Sequence, residues 1–157
     1  MDKNVRVLKS RFFWLVQFQT NELGRCTPHR HRAGFKKENK DMQFMFSHAS
    51  AFYQPLGGWR VAEVTSMNGM FWGASAFNQP INGWSVDKVT TMREMFHEAS
   101  AFNQPLDGWK VDNVVNVALM FWDASSFNQP LGDWWVEKVT DMGYMFMGAS
   151  SFNAPYR

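Results

Sequence analysis

"AFNQPLDGWKVDNV" spans residues 101–114, and near-copies occupy 76–89 ("AFNQPINGWSVDKV") and 126–139 ("SFNQPLGDWWVEKV"). The step between copies is 25 residues, kept without insertion. Phe52, Phe77, Phe102, Phe127 and Phe152 mark it, as do Trp59, Trp84, Trp109 and Trp134. Met70, Met95, Met120 and Met145 keep the same step, each followed by Phe. A fixed period of this length signals like units stacked so that each buries its apolar side on its neighbours. Four whole units result, 52–76, 77–101, 102–126 and 127–151, with a partial unit at 41–51 before them and a truncated one at 152–157 after them. Residues 1–40 do not share the period and form a separate basic segment, read as a leader, a cap or a disordered stretch.

One unit, "FYQPLGGWRVAEVTSMNGMFWGASA" (52–76), changes character halfway. Trp59 and Val61 alternate with Gly58, Arg60 and Ala62, which predicts a short strand with two side chains facing in. Val64, Met67, Met70, Phe71 and Ala74 then fall at helical spacing, which predicts about three turns of helix, with Thr65, Thr90 and Thr140 as caps. Val115 cannot cap, and Asn116 is the substitute. The expected fold class is therefore an α/β repeat solenoid, leucine-rich-repeat-like and right-handed. Short parallel strands would line one side and short helices the other. Ordering one unit costs more than its own burial returns, so stacking is obligatory. Asn78, Asn103, Asn128 and Asn153, stacked in register, are expected to satisfy buried backbone groups at a turn.

Composition agrees with a packed array: 45% of residues are hydrophobic, with 15 Phe, 8 Trp and 11 Met in 157 residues. Charge is uneven. Residues 1–41 carry ten Lys/Arg against four Asp/Glu, or +6, and residues 42–157 carry six against ten, or −4. A basic head attracts nucleic acid or anionic lipid, but the plainer reading is a solvated leader, and no nucleic-acid partner is expected. Cys26 stands alone, so no internal disulfide forms. No apolar run reaches the roughly 18 residues of a membrane span. "RFFWLVQF" (11–18) follows basic residues but is short and lacks a small-x-small cleavage site.

"FNQPLDGWKVDNVVNVALMFWDASS" (102–126) resembles the repeat of the BspA-type leucine-rich-repeat surface proteins, a 25-residue domain also common in mycoplasma lipoproteins. The resemblance covers residues 41–157. It implies a non-enzymatic surface module, adhesive in some relatives, and a cell-surface or extracellular location. The third unit departs from the family pattern, with Val115 and Val117 where the motif has Thr and Met.

No catalytic constellation emerges. His48 and His97 lack a paired nucleophile, and no phosphate loop, dinucleotide fingerprint or zincin motif occurs. "CTPHRHR" (26–32) brings Cys26, His29 and His31 together, but a structural zinc site takes four ligands at other spacings, so no metal and no cofactor is expected. Surface columns carry more. On the strand face Arg60, Ser85, Lys110 and Trp135 align, with Ala62, Asp87, Asp112 and Glu137 beside them. Three acids at strand spacing repel. Either a cation joins them or Lys88, Lys110 and Lys138 neutralise them. Trp135 is an extra, outward Trp of the kind that anchors interfaces. On the helix side Trp72, His97, Trp122 and Met147 form a flanking strip. The expected function is a non-enzymatic protein-binding or adhesion-type module. It would use Arg60, Ser85, Asp87, Lys110, Asp112, Trp135 and Glu137 against a protein partner. The alternative is a structural subunit joined through the open solenoid end, by end-to-end self-association, or through the Trp72–Met147 strip.

Overall fold

A computed structural model describes residues 18–20, 26–28 and 40–154. The chain divides into two compact units, 1–34 and 35–157. In the first, β1 (Phe18–Thr20) and β2 (Cys26–Pro28) pair antiparallel, with Phe18 opposite Pro28 and Thr20 opposite Cys26. The motif residues His29 and His31, and residues 11–17, lie outside the described residues.

The second unit holds the repeats, and here the expected α/β solenoid of short strands and short helices does not form. Among the described residues there is no helix, and the repeats contribute no strand. What forms instead is a pile of turn-built coils. Single parallel bridges link them at one position per unit: Asp41, Ser66, Thr91, Asn116 and Asp141.

The segment expected to be helical is a run of overlapping β-turns. Met45 N–H bonds the Met42 carbonyl, Ser47 that of Phe44, and Ala49 that of Phe46. The donors between them leave the unit: Met42, Phe44 and Phe46 N–H reach Ser66, Asn68 and Met70 carbonyls in the next coil, at 3.0, 2.9 and 2.8 Å. Later coils repeat the scheme, for instance Phe71 to Met95 and Phe96 to Met120, each at 2.9 Å. An α-helix would send every donor four residues back along its own chain. Here each turn run gives every second donor away to the next coil.

This pattern demands a left-handed residue at the third place of two turns per unit. Phe44, Gly69, Glu94, Leu119 and Tyr144 occupy the first such place, with φ between 54° and 61°. His48, Gly73, Glu98, Asp123 and Gly148 occupy the second, with φ between 54° and 73°. A positive φ there is the mark of a type II turn, which favours glycine. Glu94 and Glu98 adopt it although "TMREMFHEA" (91–99) is a fair helix former. Tertiary bonding overrides propensity.

The same residues nonetheless face inward. Val64, Met67, Met70, Phe71 and Ala74 are buried, as are their counterparts in the two following units. Two aromatic columns run through the pile. Phe46, Phe71, Phe96, Phe121 and Phe146 stack at 5.5–5.6 Å between ring centres. Phe52 to Phe152 stack at 5.8–6.1 Å. Within each unit the two columns touch, as in Phe71–Phe77 at 3.9 Å and Phe96–Phe102 at 4.0 Å. Such pairs add about 0.5–1.5 kcal/mol each beyond their buried area.

Side chains complete the bonding. Thr65, Thr90 and Thr140 are not helix caps: their hydroxyls donate one coil back, to the Lys40, Thr65 and Val115 carbonyls at 3.0–3.1 Å. Val115 keeps only the backbone bond to Thr90, at 2.8 Å. Asp41, Asn116 and Asp141 open their turn runs by accepting the N–H two residues on, at 2.8–3.0 Å. The Asn ladder is present. Asn103, Asn128 and Asn153 N–H groups donate to the amide oxygens of Asn78, Asn103 and Asn128, at 2.8–3.0 Å.

Two outcomes check this architecture. Gly69→Ala puts a Cβ 2.3 Å from a Phe44 ring carbon at a φ of 54°, and destabilises by at least about 1–2 kcal/mol. Glu98→Gly relieves the left-handed cost and stabilises by up to about 1 kcal/mol in thermal melts. Helix propensity requires the opposite sign for both, so this pair of melts decides between turns and helix. Separately, Trp109→Phe removes the indole N–H that binds the Ile81 carbonyl at 3.1 Å and costs about 1–3 kcal/mol, read as a fall in melting temperature.

Candidate functional site

The expected binding face is built by two turns per unit rather than by a strand. Trp59, Trp84, Trp109 and Trp134 N–H close the first turn on Leu56, Ile81, Leu106 and Leu131 carbonyls, at 2.9–3.1 Å. Val64, Val89, Val114 and Val139 close the second on Val61, Val86, Val111 and Val136, at 2.9–3.0 Å. Between them one Trp and one Val turn inward in the second and third whole units, with Trp59 half-buried in the first and Val136 exposed in the fourth, and the residue separating them is forced out. Arg60, Ser85, Lys110 and Trp135 are those residues, and all four are exposed. Asp87, Asp112 and Glu137 are exposed beside them.

No backbone ladder crosses this side among the described residues, so other groups tie the coils. Trp84, Trp109 and Trp134 indoles each donate to a carbonyl one coil back, at 3.1 Å, and stack on one another at 6.4–6.5 Å. Asn82 bonds Asp107 at 2.8 Å and accepts from Gly108 N–H at 2.8 Å. Asn113 donates to the Asp87 carbonyl at 2.8 Å. These staples hold the outward columns on a frame whose interior is packed through the third whole unit, while Val136 and Met142 of the fourth are exposed.

A shallow depression of about 250 Å³ lies between the second and third whole units. Its lining includes Asn82, Gly83, Trp84, Ser85, Asp87 and Lys110. Ser85, Asp87 and Lys110 are thus brought together, whereas Arg60, Asp112, Trp135 and Glu137 share the face but not the depression. Ser85 Oγ donates to the Asp87 carboxylate. Lys88 bonds Glu63 at 2.8 Å and Lys138 bonds Asn113 at 2.7 Å, so neither lysine neutralises the acidic column. Among the described residues Lys110, Arg60, Asp112 and Glu137 have no ion-pair partner, and no group of three metal-binding side chains assembles. The volume is below the 300 Å³ at which small-molecule pockets begin, and fits one or two inserted side chains. Asn82 and Gly108 were not among the expected site residues. The Asn-Gly dipeptide at 82–83 was their available signal.

Trp135 is 63% exposed at the crest of its unit, next to the buried Trp134. The second strip expected from sequence is an aromatic stack. Trp72 and His97 lie 5.2 Å apart at 12°, and His97 and Trp122 repeat those values. The rings cover one another's faces and offer edges outward. Trp72 Nε1 and His97 Nδ1 are buried without a partner among the described residues. Met147 extends the strip and is 52% exposed. No helix among the described residues is long and apolar enough to cross a membrane.

A family model described as "Mycoplasma protein of unknown function, DUF285" matches residues 40–157, the whole of the repeat region. No curated protein and no solved structure matches the chain.

Proposed function

The chain belongs to the DUF285 family, and we propose that it is a non-enzymatic protein-binding module of adhesion type, akin to the BspA-type surface proteins. One observation carries this reading. The turns that seat each repeat Trp present Arg60, Ser85, Lys110 and Trp135 in one column on coils that are already hydrogen-bonded and, through the third whole unit, packed inside. A surface ordered before contact loses little entropy on docking. Trp135 supplies the aromatic anchor, Lys110 an exposed cation, and the depression between Ser85 and Lys110 a seat for a partner side chain. Asp112 and Glu137 set a charge pattern that selects among partners. The cell surface is the location this reading implies.

Lys110→Glu combined with Trp135→Ala tests it. The immobilised chain is challenged with detergent extracts of host-cell surfaces, and each retained polypeptide is purified and titrated. The double variant is expected to lose that binding at least tenfold, with stability changed by no more than about 0.5 kcal/mol, as for exposed substitutions. Binding unaffected by the pair of changes places the interface elsewhere. A collapsed melt shows that these side chains support the fold.

A further inference from the structure

The fourth whole unit leaves its far side open. Val136 is 37% and Met142 46% exposed, whereas Val61, Val86 and Val111 are 1–2% exposed and Met67, Met92 and Val117 are 0–1% exposed. A following coil covers those counterparts. The backbone agrees. At the last internal boundary Val117, Leu119 and Asp123 N–H donate forward to Asp141, Gly143 and Met147 carbonyls, at 2.8–2.9 Å. One coil on, the equivalent donors are Met142, Tyr144 and Gly148 N–H. All three residues are exposed, and none of these N–H groups has an acceptor among the described residues. The first coil differs: Met42 and Phe46 are buried, so its outer face is covered.

The open coil is nevertheless a near-copy of the first. "DMGYMFMGAS" (141–150) matches "DMQFMFSHAS" (41–50) at Asp, both Met, Phe, Ala and Ser, with Tyr144 in place of Phe44. Both open with an Asp whose carboxylate accepts the N–H two residues on, at 2.8 and 3.0 Å. Both carry their ring at a left-handed place. What such a coil accepts is seen at the first internal boundary. There Ser66 bridges Asp41, and the Phe44 ring lies against Gly69 so closely that a Cβ would sit 2.3 Å from it. Glycine is required opposite the ring. Where the preceding coil has Glu94 instead, the same place holds Leu119.

We propose that the edge formed by residues 140–150 binds a coil of the 65–76 type supplied by a different polypeptide, in the register of the first internal boundary. Carbonyls equivalent to those of Ser66, Asn68 and Trp72 then take the Met142, Tyr144 and Gly148 N–H groups. N–H groups equivalent to those of Thr65 and Ala76 return to the Thr140 and Ser150 carbonyls, as they do to Lys40 and Ser50 at 2.7 and 3.1 Å. Backbone bonds of this kind give affinity, and side-chain places give selectivity. Two places select the occupant: glycine opposite the Tyr144 ring, and a small uncharged residue beside Asp141, where a carboxylate would repel. Like edges do not pair, because donors would face donors. A second copy offers no such coil either: its residues 65–76 are covered on both sides, with Met67, Met70 and Phe71 fully buried, and its first coil is covered outside. The edge lies apart from the Ser85–Lys110 depression, and neither proposal depends on the other.

A synthetic peptide of residues 59–77, added at millimolar concentration to the isotope-labelled full chain, is the probe. Amide exchange at Met142, Tyr144 and Gly148 is expected to slow at least about tenfold, and a scrambled peptide to leave it unchanged. The peptide variant Gly69→Leu is expected to bind at least about tenfold more weakly. Part of that loss is leucine's own cost in a left-handed conformation, so the decisive readout is the chain variant Tyr144→Gly, which lacks the ring. There the gap between the two peptides is expected to narrow at least about threefold. No slowing at the three amides, equal slowing by the scrambled peptide, or a gap that is the same with and without the ring overturns the proposal. So does a discrete two-copy mass for the chain alone with these amides already protected, which means that like edges pair.

Discussion

In each interior turn run, as in Met42–Ala49, half of the backbone donors are committed to the neighbouring coil, and the rest of the molecule follows from that division. A buried N–H without an acceptor costs about as much as a lost hydrogen bond, so no coil in the interior of the pile is satisfied by itself. The forward donors are spaced two residues apart and the acceptors 24 residues ahead of them, as in Met67 to Thr91 and Met92 to Asn116. An insertion anywhere between would displace a whole row of donors. The invariant period is the consequence. So are the left-handed residues, which keep the turn run level with its neighbour. Where Gly69, Gly73 and Gly148 hold those places the geometry is unstrained; at Glu94, Glu98 and Leu119 it costs about 1–2 kcal/mol each. The units with those residues still fold alike because four forward bonds and a packed Met–Phe pair depend on the same geometry.

The opposite side of each coil is held by a different device. There the indoles do two things at once, stacking at 6.4–6.5 Å and stapling a carbonyl one coil back. Tryptophan is the side chain that fills a large interior volume and carries a donor at its far edge. Phenylalanine would fill the space and leave the Leu or Ile carbonyl unpaired. This is why the motif alternates two kinds of aromatic: Phe where ring contact alone is required, Trp where a backbone group must also be met.

The sequence made the period, most of the inward side chains and the Asn ladder legible. Period and side-chain chemistry survive translation into almost any stacked architecture. Conformation was another matter. Val64, Met67, Met70, Phe71 and Ala74 sit at spacings of three, three, one and three, which one face of a helix satisfies. Overlapping four-residue turns that bring every third or fourth side chain inward satisfy them too. The distinguishing signal was Gly69 with Gly73, four residues apart in a segment read as helix, and Gly148 at the later equivalent place. Glu94 and Glu98 masked it, being good helix residues in a unit that is not helical. At the site, the outward columns were legible because alternation about Trp59 and Val61 fixes direction whether or not a strand forms. The depression was not, because it depends on Asn82 bonding across to Asp107 and Gly108, a contact between units that no single unit reveals.

The division of labour between inside and outside bears on what the surface can recognise. The place closing the first turn is Trp in all four whole units, and the place two residues on is Val in all four, buried in the first three. The residue held between them is Arg60, then Ser85, Lys110 and Trp135: a cation, a hydroxyl, a cation and an indole. Nothing in the fold restricts these positions, since the staples and turns around them are closed by other atoms. A column free to vary, on spacing the interior keeps constant, presents no repeated charge to a ligand that is itself monotonously periodic, such as a polyanion. On the proposed reading it meets a surface whose chemistry changes along its length, as a folded or extended protein segment does.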